Sequence, residues 1–290
     1  MSAIERAVAG QDLLGESPVW SVREQALWWV DIRSNALRRF EPATGDRRDW
    51  IFDDLCCGVA LAHDGLILVT RHDLLAFDPS TGATRRLLQV EDPSLDNRLN
   101  EARVDPVGRL IVGSMRDYGA AVTGSIYAIS ADRHQRRLLA DIRIPNAMAW
   151  SPDGLTFQVS DTDERTIRAY DYDPGSGDLT AGRTLLAADV APGLPDGSAM
   201  DVEGAVWNAR PTGGCLVQVL GDGRIRCVVA LPVSHPTACA FGGPDLKTLY
   251  ITTARQRLTP EALAPQPWAG SVLSLRVDAP GLPANICGLA

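Results

Sequence analysis

The sequence is most informative first through what it lacks. It has no run of about 18 apolar residues, which excludes a membrane-spanning helix. The opening Met1-Ser-Ala-Ile-Glu-Arg6 has no apolar stretch of the signal-peptide kind, so a cytoplasmic location is expected. None of the six cysteines, at 56, 57, 215, 227, 239 and 287, forms a C-x-x-C pair. A zinc ribbon or a redox motif is therefore unsupported, and reduced thiols are expected. No Lys/Arg cluster occurs, and 28 basic against 36 acidic residues leave a net charge of −8, which argues against nucleic acid as a partner. Arg85-Arg86 and Arg136-Arg137 read as isolated pairs on solvated strand faces. The four histidines, at 63, 72, 134 and 235, show no metal-ligand spacing, and no G-x-S-x-G nucleophile elbow is present. No linker or low-complexity run breaks the chain, so a single domain over residues 1–290 is expected.

What is present is repetition. Seven Trp against four Met, with 26 Gly and 19 Pro, favour strands and turns over helices. Ile144 to Asp161 reads as strand, Ser-Pro-Asp-Gly turn and strand, with Pro152 presetting φ and Gly154 supplying a positive φ. The same unit begins at Glu16, Cys57, Asn100, Asp196 and Thr237. The turn glycines 65, 108, 154 and 204 are spaced by 43, 46 and 50 residues. That period suits a four-stranded propeller blade, so the fold expected is all-β: a six-bladed β-propeller of antiparallel blades. The sixth repeat lacks a full fourth strand, and Ile4-Glu-Arg-Ala-Val8 is expected to supply it and close the last blade.

Aligning the six inner strands separates two classes of position. Four residues in, every repeat is apolar (Trp20, Leu61, Val104, Trp150, Met200, Phe241), and these are expected to form the blade core. The first position reads Glu16, Cys57, Asn100, Asn146, Asp196 and Thr237. In a propeller these six places form a ring at one mouth of the central channel. Such residues also satisfy loose backbone groups at strand ends. Two carboxylates converging on one axis nevertheless repel unless a cation lies between them. Carboxylate and amide oxygens suit hard or borderline divalent ions, and three protein ligands leave room for water and substrate.

At these residues the chain resembles the gluconolactonase/regucalcin (senescence-marker-protein) family of six-bladed propeller lactonases. The motifs are Leu14-Gly-Glu-Ser-Pro-Val-Trp20, Asn97-Arg-Leu-Asn-Glu101, Gly113-Ser-Met115, Pro145-Asn146, Pro195-Asp-Gly197 and Ala240-Phe-Gly-Gly-Pro-Asp245. Sugar-acid lactonases of bacterial aldose oxidation are especially similar. The resemblance implies that Glu16, Asn146 and Asp196 hold one divalent metal ion, with Ca, Zn, Mn, Mg and Fe left undistinguished. It implies that Arg98 and Asn100 contact substrate and that Asp196 doubles as the catalytic acid/base. An acidic substrate contact of the family maps near Asp117-Tyr118, and Tyr118 is taken as a third substrate-binding residue. The chain departs from the family where Asn100-Glu101-Ala102 replaces Asn-Asp-Gly and where Asn146-Ala147 replaces Asn-Gly.

The implied activity is metal-dependent opening of a pentono- or hexonolactone to its aldonic acid, with a small sugar lactone as partner and no membrane or nucleic acid. A monomer or weak homo-oligomer is expected. Attack of water on the carbonyl needs an electrophile on the developing oxyanion and a base for the water proton. The base is either Asp196 or a hydroxide on the metal that Asp196 places. Arg98 either holds substrate or forms a salt bridge to Asp96 or Glu101. Trp207 is expected in the core rather than in the pocket wall, and Cys57 as a ring residue without thiolate activation. Two other readings are a phosphotriesterase-like propeller hydrolase and a non-enzymatic propeller that binds calcium or a protein partner.

Overall fold

The computed structural model describes residues 3–289. Six four-stranded antiparallel sheets follow one another along the chain. Blade one is Gly15–Ser21, Ala26–Asp31, Ala36–Glu41 and Asp46–Ile51. Each blade begins with an inner strand at the axis: Cys56–Leu61, Asn97–Val104, Pro145–Trp150, Ser198–Met200 and Pro236–Gly242 in blades two to six. The tight turn after it rests on Gly65, Gly108, Gly154 or Gly204 in blades two to five, with φ between 73° and 94°. No other residue adopts that region as cheaply, which is why the glycine period tracks the blades.

The ring closes as expected. Glu5–Val8 pairs antiparallel with Val272–Arg276 as the outermost strand of blade six, with Glu5 opposite Ser274 and Arg6 opposite Leu273. Asp12 helps to seat this entry segment. It accepts a hydrogen bond from Trp29 Nε1 at 2.8 Å and pairs with Arg38 Nε at 2.8 Å. Burial outweighs both and pushes the Asp12 carboxyl up to about 6. A folded-state pKa above the unfolded value means that the native state binds the proton more tightly. The stability it contributes is therefore present below about pH 4 and lost as pH rises through about 6. Urea midpoints of the wild type and Asp12→Asn, taken from pH 7 to pH 4, are expected to shift in favour of the wild type as pH falls. A pH-independent difference would contradict this.

Two features differ from the sequence expectation. The six apolar positions are buried, but they line the far half of the channel rather than only the blade interiors. At about 3.3 Å per residue they lie some 13 Å below the ring. They surround a cavity of about 390 Å³. The segment 281–288 closes its far end, with Leu282, Pro283, Ala284 and Asn285 in its lining. Leu282 N donates to Met200 O, Asn285 Nδ2 to Val104 O and Cys287 N to Leu61 O, so the segment crosses from blade five to blade two. Gly281 is required where it lies on Phe241, because a Cβ there would meet the ring at 1.9 Å.

The second difference is a bulge recurring at the ring. In blade three, Leu99 pairs with Ser114 and Ala102 with Val112, so Asn100 and Glu101 together face one residue, Gly113. Blades one and four show the same slip after Glu16 and Asn146, and Cys57 and Thr237 are the extra residues in blades two and six. A bulge re-aims side chains and breaks the strict alternation of faces. Ser17 and Ala147 take positive φ at these kinks, 52° and 59°.

Candidate functional site at the channel mouth

The inner strands all start at one mouth of the channel, and the second strands all end there. The ring residues are thereby joined by the loops after Asp31, Thr70, Arg116, Asp161, Arg210 and Thr253. Asp196 precedes its strand, which starts at Ser198, and is held by main-chain bonds: its N–H donates to Ala209 O, and Gly197 N donates to Thr237 O. Asn208 Nδ2 donates to the Asp196 carbonyl. Gly197 is needed here, since a Cβ would lie 2.3 Å from that of Ala238.

A hydrogen-bond relay crosses three blades. Arg98 Nη1 donates to Asn100 Oδ1 at 2.7 Å, and Asn100 Nδ2 to Asn146 Oδ1 at 3.1 Å. Asn146 Nδ2 donates to Thr162 Oγ1 at 2.9 Å, and Thr162 Oγ1 to Pro195 O at 2.8 Å. The relay fixes the Asn146 amide and leaves its oxygen a second lone pair. It ends on the residue before Asp196. Thr162 carries no sequence signal, because it lies 16 residues from Asn146 and its other relay partner, Pro195, belongs to the next blade.

Glu16 receives the Ser17 N–H at 3.2 Å. Burial, then Glu101, pushes its carboxyl up to about 7. Burial, then Glu16 and Glu101, pushes Asp196 well above the usual carboxylate range. These carboxyls feel one another. Glu101, a residue that period-two reading directs away from the channel, is brought in by the bulge. Its Oε2 accepts from Met148 N at 3.0 Å, and Arg103 Nη2 lies 3.2 Å from its Oε1. That Oε1 is buried without a hydrogen bond of good geometry. Burial pushes its carboxyl up as well.

Among the described residues no three His, Cys, Asp or Glu side chains form a metal-holding group. The expected set asks for two acids and an amide oxygen. Its chemistry suits a hard divalent cation: burial first, and then mutual repulsion, raises the Glu16 and Asp196 carboxyls, with Arg98 the opposing cation common to both. The other two ring residues are chemically quiet. Burial pushes the Cys57 thiol up to about 11. Thr237 Oγ1 donates to Gly15 O.

Arg98 pairs with neither Asp96 nor Glu101. Its Nε donates to Asp117 Oδ1 at 3.1 Å, while Asp96 pairs with Arg116. Asp117 is buried, whereas Tyr118 is 70% exposed and carries the Arg33 guanidinium over its ring at 5.0 Å. Trp207 lies in the core between blades five and six. His235 is half-buried beside the sixth inner strand, with Nδ1 2.8 Å from Ser234 Oγ. Burial pushes its pKa down.

A family model described as SMP-30/Gluconolactonase/LRE-like region matches residues 14–255. A 6-deoxy-6-sulfogluconolactonase of Pseudomonas putida is 33% identical over 270 residues, 93% of each chain. A pentonolactonase of Haloferax volcanii is 34% identical over 251 residues, 87% of this chain and 85% of that one. The solved structure of a regucalcin from Agrobacterium tumefaciens, described as a calcium-binding protein, superposes with a TM-score of 0.93 at 27% identity, covering 98% of this chain and 97% of that one.

Proposed function

The chain belongs to the SMP-30/gluconolactonase/LRE-like family, and on that footing we propose that it is a metal-dependent lactonase opening a sugar aldonolactone to the aldonic acid. The observation that carries the reading is the meeting of Glu16, Asp196 and the relay-held Asn146 at one channel mouth. Two lactonases at a third identity over most of the chain support the reaction class.

In this reading Glu16, Asn146 and Asp196 hold the cation. When bound, it supplies Lewis acidity to the lactone carbonyl oxygen. The remaining work falls to the chain. Arg98 presents its remaining Nη2 donors to the sugar hydroxyls, while Asn100, whose Nδ2 hydrogens go to Pro145 O and Asn146 Oδ1, offers the second lone pair of its Oδ1; together they fix the carbonyl over the ring. Asp196 Oδ1 already receives the Gly197 N–H, at 3.1 Å, which leaves Oδ2 to take the proton of the attacking water. The new C–O bond forms from that water, the ring C–O bond breaks, and the proton passes to the departing alkoxide. Tyr118, on the rim, is the outermost substrate contact in this proposal.

The test is proton release from pentono- and hexonolactones by metal-stripped protein, with the spontaneous rate subtracted. Chelation is expected to remove at least about 100-fold of the rate, and one or more of Ca, Zn, Mn, Mg and Fe(II) to restore it. No rate above background with any pair would sink the proposal. The calcium-binding description of the regucalcin neighbour favours one second reading, a metal-binding propeller without turnover, and the same experiment separates the two. A cytoplasmic monomer or weak homo-oligomer completes the proposal. The location is supported by six free cysteines, as a reducing compartment leaves them.

A further inference from the structure

Two loops and the start of one inner strand, from three blades, place guanidinium groups on one buried carboxylate at the mouth. Arg33 follows the second strand of blade one, Arg71 follows that of blade two, and Arg98 opens the inner strand of blade three. Asp117 Oδ1 accepts from Arg33 Nη2 at 2.7 Å and from Arg98 Nε at 3.1 Å. Its Oδ2 accepts from Arg33 Nη1 at 3.3 Å and from Arg71 Nη1 at 3.1 Å. Four donors fill the acceptor capacity of a carboxylate. Asp117 is thus not free to accept a sugar hydroxyl, the role that an acid at this place suggests. Burial pushes its carboxyl up, but the three arginines hold it below the usual range.

What the cluster has left over is the opposite of an acid. The one further carboxylate on it is Asp54, which accepts from Arg71 Nε at 3.2 Å. By hydrogen bonds, three guanidiniums face two carboxylates and leave one positive charge; Arg98 also feels Glu16 and Asp196 of the ring, whose charge the cation takes up in the lactonase reading. Arg33 Nε, Arg71 Nη2 and Arg98 Nη2 make no hydrogen bond among the described residues, and none is sealed from solvent. Arg98 spans the two regions: one edge of its guanidinium binds Asn100 of the ring and another binds Asp117. A ligand whose reacting end lies over the ring would therefore bring its other end to the arginines, about one guanidinium further out.

We infer that Arg33, Arg71 and Arg98 form an anion subsite, and that the preferred substrate is a sugar lactone bearing a sulfonate, phosphate or carboxylate at the end remote from the lactone carbonyl. Guanidinium forks suit oxyanions of this kind, and a hydrogen bond between full charges is stronger than one to a hydroxyl. The claim about substrate rests on the lactonase reading above; the claim about binding does not.

The experiment compares glucono-1,5-lactone with its 6-phosphate and 6-deoxy-6-sulfonate forms, in the metal-loaded enzyme at low ionic strength. A kcat/KM at least about tenfold higher for the anionic forms is expected, carried mainly by KM and eroded by added salt. Arg71→Gln and Arg33→Gln are each expected to lower the anionic-to-neutral ratio by about tenfold, and Arg71→Lys to recover part of it. Calorimetry with glucitol 6-phosphate against glucitol reads the subsite without turnover, and the phosphate is expected to bind at least about tenfold tighter. Turnover of the neutral lactone with no anionic preference would overturn the subsite and leave the lactonase reading intact. Tighter glucitol 6-phosphate binding with no turnover of any lactone would do the reverse. Variants that slow both substrates equally would also overturn it.

Discussion

Asp196→Ala is expected to abolish lactone hydrolysis, lowering kcat/KM by at least about 1,000-fold, while leaving the propeller as stable as the wild type or more so. In the proposed reading the loss combines two functions in one side chain, a cation ligand and the acceptor of the water proton. The unchanged fold follows from how Asp196 is held. Its N–H and C=O are bound to Ala209 O and Asn208 Nδ2, neither of which involves the carboxylate. That carboxylate is half-buried near Glu16 and Glu101, and after its desolvation both oppose its charge. Removing it from the metal-free protein relieves repulsion rather than breaking an ion pair. Lactone turnover with each metal and a urea melt of the stripped protein give the two readings. Retained turnover would remove Asp196 from the mechanism, and a large loss of stability would contradict the electrostatic account.

Arg210→Met is expected to cost about 3 kcal/mol or more of stability and, in what remains folded, most of the activity. Arg210 is almost fully buried and has no carboxylate partner among the described residues. It donates instead to Ala191 O, Pro192 O, Gly193 O and Asn208 Oδ1. Burial pulls its pKa down to about 10, so it is charged at neutral pH. Methionine would leave three loop carbonyls and the Asn208 amide oxygen without this donor, the Ala191 carbonyl and the Asn208 amide in buried positions. Asn208 in turn holds the Asp196 carbonyl, so the loop carrying Asp196 loses its anchor. Arg210→Lys is not expected to rescue it, because a single ammonium cannot span acceptors arrayed along three consecutive residues. Full activity in the lysine variant would show that charge alone, and not the fork, positions the loop.

Much of this was legible in the one-dimensional pattern because its causes are local. A glycine at positive φ every 43 to 50 residues, with an apolar strand on each side, needs no partner to be recognised. The blades and the closing strand Glu5–Val8 follow from that pattern and from the deficit of one strand in the last repeat. The ring positions Glu16, Asn146 and Asp196 emerge from aligning repeats, since equivalent places in a closed ring face one axis. Arg98 was legible as a residue but not as a contact; its partner proved to be Asp117. Tyr118 was a candidate by proximity in sequence to the acid that the fold turns inward.

By itself, then, the sequence determined the blade count, the manner of closure and which oxygen-bearing residues share the axis, because turn dihedrals and strand alternation are properties of a few consecutive residues. Only the tertiary structure decided the rest. The slip of register between Leu99 and Ala102 carries Glu101 into the channel, and it depends on which residue of the neighbouring strand each one pairs with. The arginines of blades one to three meet on Asp117 because ring closure brings two loops and the start of one inner strand to one rim. Such meetings are set by the packing of whole blades, and no spacing along the chain encodes them.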